Sequence, residues 1–181
     1  MQFVMKAEEI LLGELKGEMK ATYGRVIVEQ ERWEEAIALA RSKDDRLAFR
    51  ASWGLGWAYN ESPEGVLPYL ERFIGAFVDS TSGSVHREYS KILYGLASRG
   101  VKLSETQREK VVARAFDLLI NPAVRPAAKV WCMEIVWIFR DSEDWIAEAL
   151  QETLRELVSA PGCPRGLENR AGKVLKRFRE R

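Results

Sequence analysis

One stretch of the chain, Ala123–Phe139 (AVRPAAKVWCMEIVWIF), returns three more times in weaker form. The copies are Leu47–Asn60 (LAFRASWGLGWAYN), Val85–Arg99 (VHREYSKILYGLASR) and Glu168–Arg177 (ENRAGKVLKR). Ser52, Ser90, Ala128 and Gly172 fall in one column, each a small residue directly before Trp53, Lys91, Lys129 or Lys173, and the intervals between them are 38, 38 and 44 residues. A unit of about 40 residues made of two helices cannot bury its apolar face alone, so it must stack on copies of itself. The expected fold is therefore all-α. It is a right-handed α-solenoid of about four helical pairs over residues 44–181, behind an N-terminal helical cap over residues 1–43, in a single domain spanning 1–181.

Composition limits the partners more than the fold. An apolar share of 46% supplies a continuous core, and 30% charged residues suit the outer faces of many helices. With 28 basic against 27 acidic side chains the net charge is +1, so no global field draws in nucleic acid or a membrane surface. Binding either would need charge gathered locally. Two cysteines are too few for a disulfide framework. Cys132, inside an apolar helix, reads as a small buried hydrophobe, and Cys163, in the turn APGCPRG, as an exposed thiol. The start MQFVMKAEEILL lacks a basic segment leading into an apolar run, and no stretch approaches the ~18 apolar residues of a membrane span. A soluble, cytoplasmic protein is expected.

Along the chain, residues 6–42 carry apolar residues at helical spacing (Ile10, Leu11 and Leu15; Val26 and Ile27; Trp33, Ile37 and Leu39), weakened by Gly13, Gly17 and Gly24. Three helices of a cap fit this segment. Lys43-Asp44-Asp45 marks a helix start, and a helix over 45–60 sets Leu47, Ala51, Leu55 and Ala58 on one stripe. Ser62-Pro63 opens its partner, 63–78, in which Pro68 marks a kink or the true start. After the loop Asp79–Ser84 comes a helix over 85–99, stopped by Gly100. Ser104 and Gln107 form a capping box for a helix running to Ile120, which Asn121-Pro122 ends. Helices over 123–140, 143–159 and 167–179 follow, the last two separated by Ala160–Gly166. No run alternates in the manner of a strand.

Aligning the first helix of each pair separates expected core from expected surface. The columns Leu55, Leu93, Trp131, Leu175 and Ala51, Tyr89, Ala127, Ala171 are apolar and should face the stacked core. Beside them run Trp53, Lys91, Lys129, Lys173 and, one turn earlier, Phe49, Arg87, Arg125, Asn169. Residues four apart share a helix face, so these two columns make one stripe, aromatic at its start and basic thereafter. The candidate binding residues are therefore Arg87, Lys91, Arg125, Lys129, Lys173, Trp53 and Trp57. Such a ridge suits an anionic partner, an acidic peptide or protein or a nucleic-acid backbone, although charge on an outward helix face also serves solubility alone. Glu88 and Glu134 lie nearby and dilute its field. Trp131 reads as core, Trp33 and Trp145 as packing between helices with the indole N–H at the edge, and Trp53 and Trp57 as the exposed aromatics suited to a binding hot spot.

Nothing here builds a catalytic centre, a metal site or a cofactor site. His86 is the sole histidine and reads as a polar group near a helix start, which leaves neither zinc ligation nor a Ser-His-Asp triad anything to work with. Ser80–Ser84 lacks the spacing and lysine of a phosphate loop.

The motifs RASWGLGW and RPAAKVWCMEIVW, in paired helices over about 45–180, resemble HEAT-like repeat proteins of the armadillo type. That resemblance implies a non-enzymatic scaffold that binds other macromolecules along a solenoid face, with a protein or peptide as the favoured partner. Nucleic acid is the alternative. One branch of the superfamily, the DNA-alkylation-repeat glycosylases, uses a basic concave surface, tryptophans and an aspartate to excise damaged bases. Phe77-Val78-Asp79-Ser80 is similar to the end of that branch's signature, but Ile74-Gly75-Ala76 stands where its Trp-Asp is expected.

Overall fold

The computed structural model describes Leu11 and residues 18–180. Ile10, Gly13, Leu15 and Gly17, assigned above to the cap, lie outside the described residues. Nine α-helices and a 3-10 helix are described, and no strand occurs among the described residues. None of these helices is long and apolar enough to cross a membrane. The helices are α1 (Met19–Glu29), α2 (Trp33–Leu39), α3 (Asp45–Glu61), the 3-10 helix Pro63–Tyr69, α4 (Leu70–Asp79), α5 (Gly83–Ser98), α6 (Glu105–Ile120), α7 (Pro126–Phe139), α8 (Asp144–Ser159) and α9 (Arg165–Arg179). They fall into two compact units, Met1–Ile92 and Leu93–Arg181, divided within α5.

In the first unit α1 packs on α3, and α2 packs on α3, on the 3-10 helix and on α4. Asp44 starts α3 by accepting hydrogen bonds from the Arg46 and Leu47 backbone N–H groups at 2.9 and 3.2 Å, which fills donors that no turn precedes. Glycine then sets how closely α3 meets α1. A methyl group at Gly54 would overlap the buried ring of Tyr23 on α1, and one at Gly24 would overlap the indole of Trp57 on α3, each well inside 3.0 Å. The two helices thus interlock, each resting an aromatic side chain on the other's glycine. Phe73 of α4 stacks on Tyr89 of α5 with ring centres 4.2 Å apart. Pro68, which has no N–H to donate and whose ring crowds the preceding turn, divides the expected helix 63–78 into a 3-10 segment and α4.

In the second unit α6 packs on α7, α7 on α8 and α9, and α8 on α9 and α6. The end of α5 is closed locally. Gly100 takes φ of 79°, its N–H donates to Ala97 O at 3.0 Å, and Val101 N–H donates to Leu96 O at 3.1 Å. That is a Schellman arrangement, which favours glycine at the left-handed position. Ser104 and Gln107 form the expected capping box of α6. Between α7 and α9 runs a buried ion triad. Glu134, 2% exposed, accepts hydrogen bonds from both terminal nitrogens of Arg177 at 2.7 and 3.1 Å and forms an ion pair with Arg170, whose Nε lies 2.8 Å away.

The phase of α7 departs from the alignment. Ala128, Lys129, Cys132, Met133, Ile135 and Val136 face inward, whereas Ala127 is exposed and Trp131 is half-buried, tilted against Tyr94 with ring centres 5.3 Å apart. The inward stripe sits one residue later than the columns placed it. Lys129 therefore takes the buried position that Ser52 holds in α3 and Ser90 in α5. Both serines bond back into their own helix, to Phe49 O and His86 O. The physical reason is that α7 is apolar on nearly every face, so no polar side remains to fix its rotation.

Candidate binding cleft

Four of the seven candidate residues come together in the first unit. Trp53 and Trp57 from α3 and Arg87 and Lys91 from α5 line a cleft of about 120 Å³, together with Gly56, Asn60 and Glu88. The spacing i, i+4 on each helix makes this possible, since it places each pair on one face one turn apart. Neither indole is loose. The ring of Trp57 is seated on Gly24, and Trp53 leans on Phe49 with ring centres 4.5 Å apart at 49°. Both tryptophans are half-buried. The most exposed tryptophan is Trp145, at 54%, although its ring still packs between helices, tilted against Phe116 with ring centres 5.6 Å apart, so the reading of Trp53 and Trp57 as the exposed pair is corrected.

Glu88, expected only to dilute the field, is a member of the cleft. It is buried, and Gly56 makes room for it, since a methyl group there would lie 2.5 Å from Glu88 Oε2. Arg87 Nε lies 3.4 Å from its other oxygen. The signal was present in Gly54-Leu55-Gly56, a pair of small residues that lets a neighbouring helix or a polar group approach closely, but a glycine does not say which group approaches. With two cations against one carboxylate the cleft keeps an excess of positive charge. It has the features of a subsite for a short acidic side chain: cations to meet the charge, and indoles to cover the adjoining carbons.

The other candidates belong to the second unit. Arg125, the N-cap residue of α7, and Lys173, on α9, are both exposed. Lys129 is not a surface residue. It is 8% exposed and its Nζ donates to Leu119 O at 2.7 Å, one of the carbonyls that the end of α6 leaves without a helical partner. Its burial removes it from the ridge. Desolvation holds its ammonium below the ordinary lysine range, although the nearby Cys132 and Cys163 act in the opposite sense.

His86 is buried and its Nε2–H donates to Ser80 O at 2.7 Å, tying the loop before α5 to the first turn of that helix. Asp79, the aspartate of the glycosylase-like signature, is engaged by Arg41 Nη2 at 2.8 Å. Among the described residues no group of three or more His, Cys, Asp or Glu side chains is placed to hold a metal ion. No family model, curated protein or solved structure matches the chain.

Proposed function

We propose that the protein is a non-enzymatic binding module, a right-handed HEAT-like solenoid whose cleft at Trp53, Trp57, Arg87 and Lys91 receives an acidic side chain of a protein or peptide partner. The solenoid reading is supported within each unit by packing between alternate helices: α1 with α3 and α2 with α4 in one, α6 with α8 and α7 with α9 in the other. Stacked pairs bury their faces in that way. The functional reading rests on one observation, the meeting of two anchored indoles and two cations around a single small cleft. At about 30 Å³ per water-sized group, its volume of 120 Å³ takes about four such groups. That is the size of an aspartate side chain and too small for a cofactor.

Tryptophan fluorescence tests this with a short peptide carrying Asp-Glu between apolar residues, its Asn-Gln counterpart, and a single-stranded oligonucleotide. The acidic peptide is expected to perturb the indole emission, with an affinity that falls modestly with salt. The neutral peptide and the folded double variant Arg87→Glu, Lys91→Glu are expected to show about tenfold weaker binding or none. Equal binding of both peptides overturns the reading. So does preferential binding of the oligonucleotide with the steep salt dependence of phosphate neutralisation.

A further inference from the structure

Lys129 lies at the wall of a second, larger hollow, contained wholly in the second unit. About 340 Å³ in volume, it is lined by the end of α6, the last turns of α8, the turn Ala160–Pro164 and the start of α9. Its surface is mostly carbon: Leu119, Ile120, Leu157, Pro161 and Leu167 all contribute. Ile120 is 65% exposed, an apolar side chain left in water at the rim. Into this apolar setting the fold brings one full positive charge. Leu119 O is the single hydrogen-bond partner of Lys129 Nζ among the described residues, so two of the three ammonium N–H groups are unfilled. A buried ammonium in that condition is costly unless an anion meets it.

A second feature points the same way. Pro164, the N-cap of α9, and Leu167 in its first turn line the same hollow, and no side chain caps that helix. The helix start contributes partial positive charge. Glu156 is the sole acidic residue of the lining and is exposed. One full cation beside one carboxylate suits a singly charged anion better than a phosphate dianion. The volume, at about 30 Å³ per water-sized group, admits about ten non-hydrogen groups, at the small end of the range for ligand pockets.

We infer that this hollow binds a small amphipathic monocarboxylate, with its carboxylate accepting from Lys129 Nζ and its apolar tail lying against Ile120, Leu157 and Leu167. The site is separate from the Trp53 cleft and does not depend on the function proposed for it. Octanoate, with ten non-hydrogen atoms, is the probe, and octan-1-ol supplies a similar chain without the charge. Calorimetric titration of the whole protein is expected to give one octanoate site, at least about tenfold tighter than octan-1-ol. The variant Lys129→Met, which keeps length and removes charge, is expected to bring octanoate down to the level of the alcohol. Leu157→Trp, which enlarges a half-buried apolar side chain of the lining and leaves the lysine in the sequence, is expected to abolish binding of both. Failure of the parent to bind octanoate overturns the inference. Equal affinity for the acid and the alcohol overturns it too, as does undiminished octanoate binding in either folded variant.

Discussion

The two units hold their helices together by different means. In the first, contact between α1 and α3 is steric: aromatic rings sit on glycines, Tyr23 on Gly54 and Trp57 on Gly24. In the second, Gly100, Gly162, Gly166 and Gly172 have open space where a side chain would stand, and no ring is seated on them. There the tie between α7 and α9 adds charge to an aromatic contact: Trp137 meets Phe178 edge-on at 4.6 Å, the Glu134 carboxylate is enclosed by Arg170 and Arg177, and the indole of Trp137 is flanked by Arg140 and Arg177. A glycine contact is sensitive to any added atom and indifferent to charge. A buried carboxylate is the reverse: it tolerates crowding at its periphery but not the loss of its cations. A similar helical pattern thus rests on two sets of vulnerable residues, one in each unit.

The largest expected effect is in the ion triad. Replacing Arg170 and Arg177 together by Ala leaves Glu134 buried without a partner, and a loss of about 3–5 kcal/mol is expected, read by residue-resolved hydrogen exchange in α7 and α9. A loss below about 1 kcal/mol would show that Glu134 reaches water, and the contrast between the units would fail. Next comes a pair of opposite sign. Gly54→Ala drives a methyl group into the Tyr23 ring and is expected to destabilise the first unit by about 1–3 kcal/mol. Gly172→Ala, exposed within α9 with nothing beside it, is expected to stabilise the second by about 0.5–1 kcal/mol. Denaturant titration of each variant checks both signs.

A further effect, carried by ionisation alone, is a divergence in alkaline solution. Burial pushes the phenols of Tyr23 and Tyr89 well above the ordinary tyrosine range, with Glu35 adding to the rise at Tyr23 while Arg32 there and Arg41 at Tyr89 oppose it. Above about pH 10 the unfolded chain sheds these protons and the folded one keeps them. The folded first unit then binds more protons than its unfolded form and loses stability as pH rises, by about 1 kcal/mol per phenol over one pH unit. Lys129 runs the other way. Its folded value lies below the unfolded one, near 10.4, so between the two the unfolded state binds more protons and rising pH adds stability to the second unit. Hydrogen exchange followed from pH 8 to 11 should show the units moving apart, and parallel behaviour would refute the assignment.

Helix ends were the most legible part of this chain, because they are set by local chemistry. Ser62-Pro63, Gly100, Ser104 with Gln107, and Asn121-Pro122 all mark boundaries found within a residue or two of where they were read. The rotation of a helix about its own axis was legible only where polar and apolar faces contrast. On α3 and α9 Ala51, Leu55 and Ala171 point inward as aligned. On α7, apolar almost throughout, the alignment slipped by one residue and exchanged the roles of Lys129 and Trp131. A lysine was read as surface because charge is costly to bury, and the carbonyl that made its burial tolerable belongs to another helix. The cleft was half legible for the same reason: periodicity put Trp53 with Trp57 and Arg87 with Lys91, but the packing that sets Glu88 beside Gly56 is tertiary.

The segment between α5 and α6 has a further consequence. Its two ends are finished by their own residues, Gly100 and Val101 closing one helix and Ser104 with Gln107 opening the next. The backbone groups at both ends are satisfied within a few positions of sequence, and Lys102 between them is exposed. New chain entering after Lys102 would interrupt neither cap, and lengthening a loop adds little closure entropy. That makes this junction the natural point at which to graft a reporter.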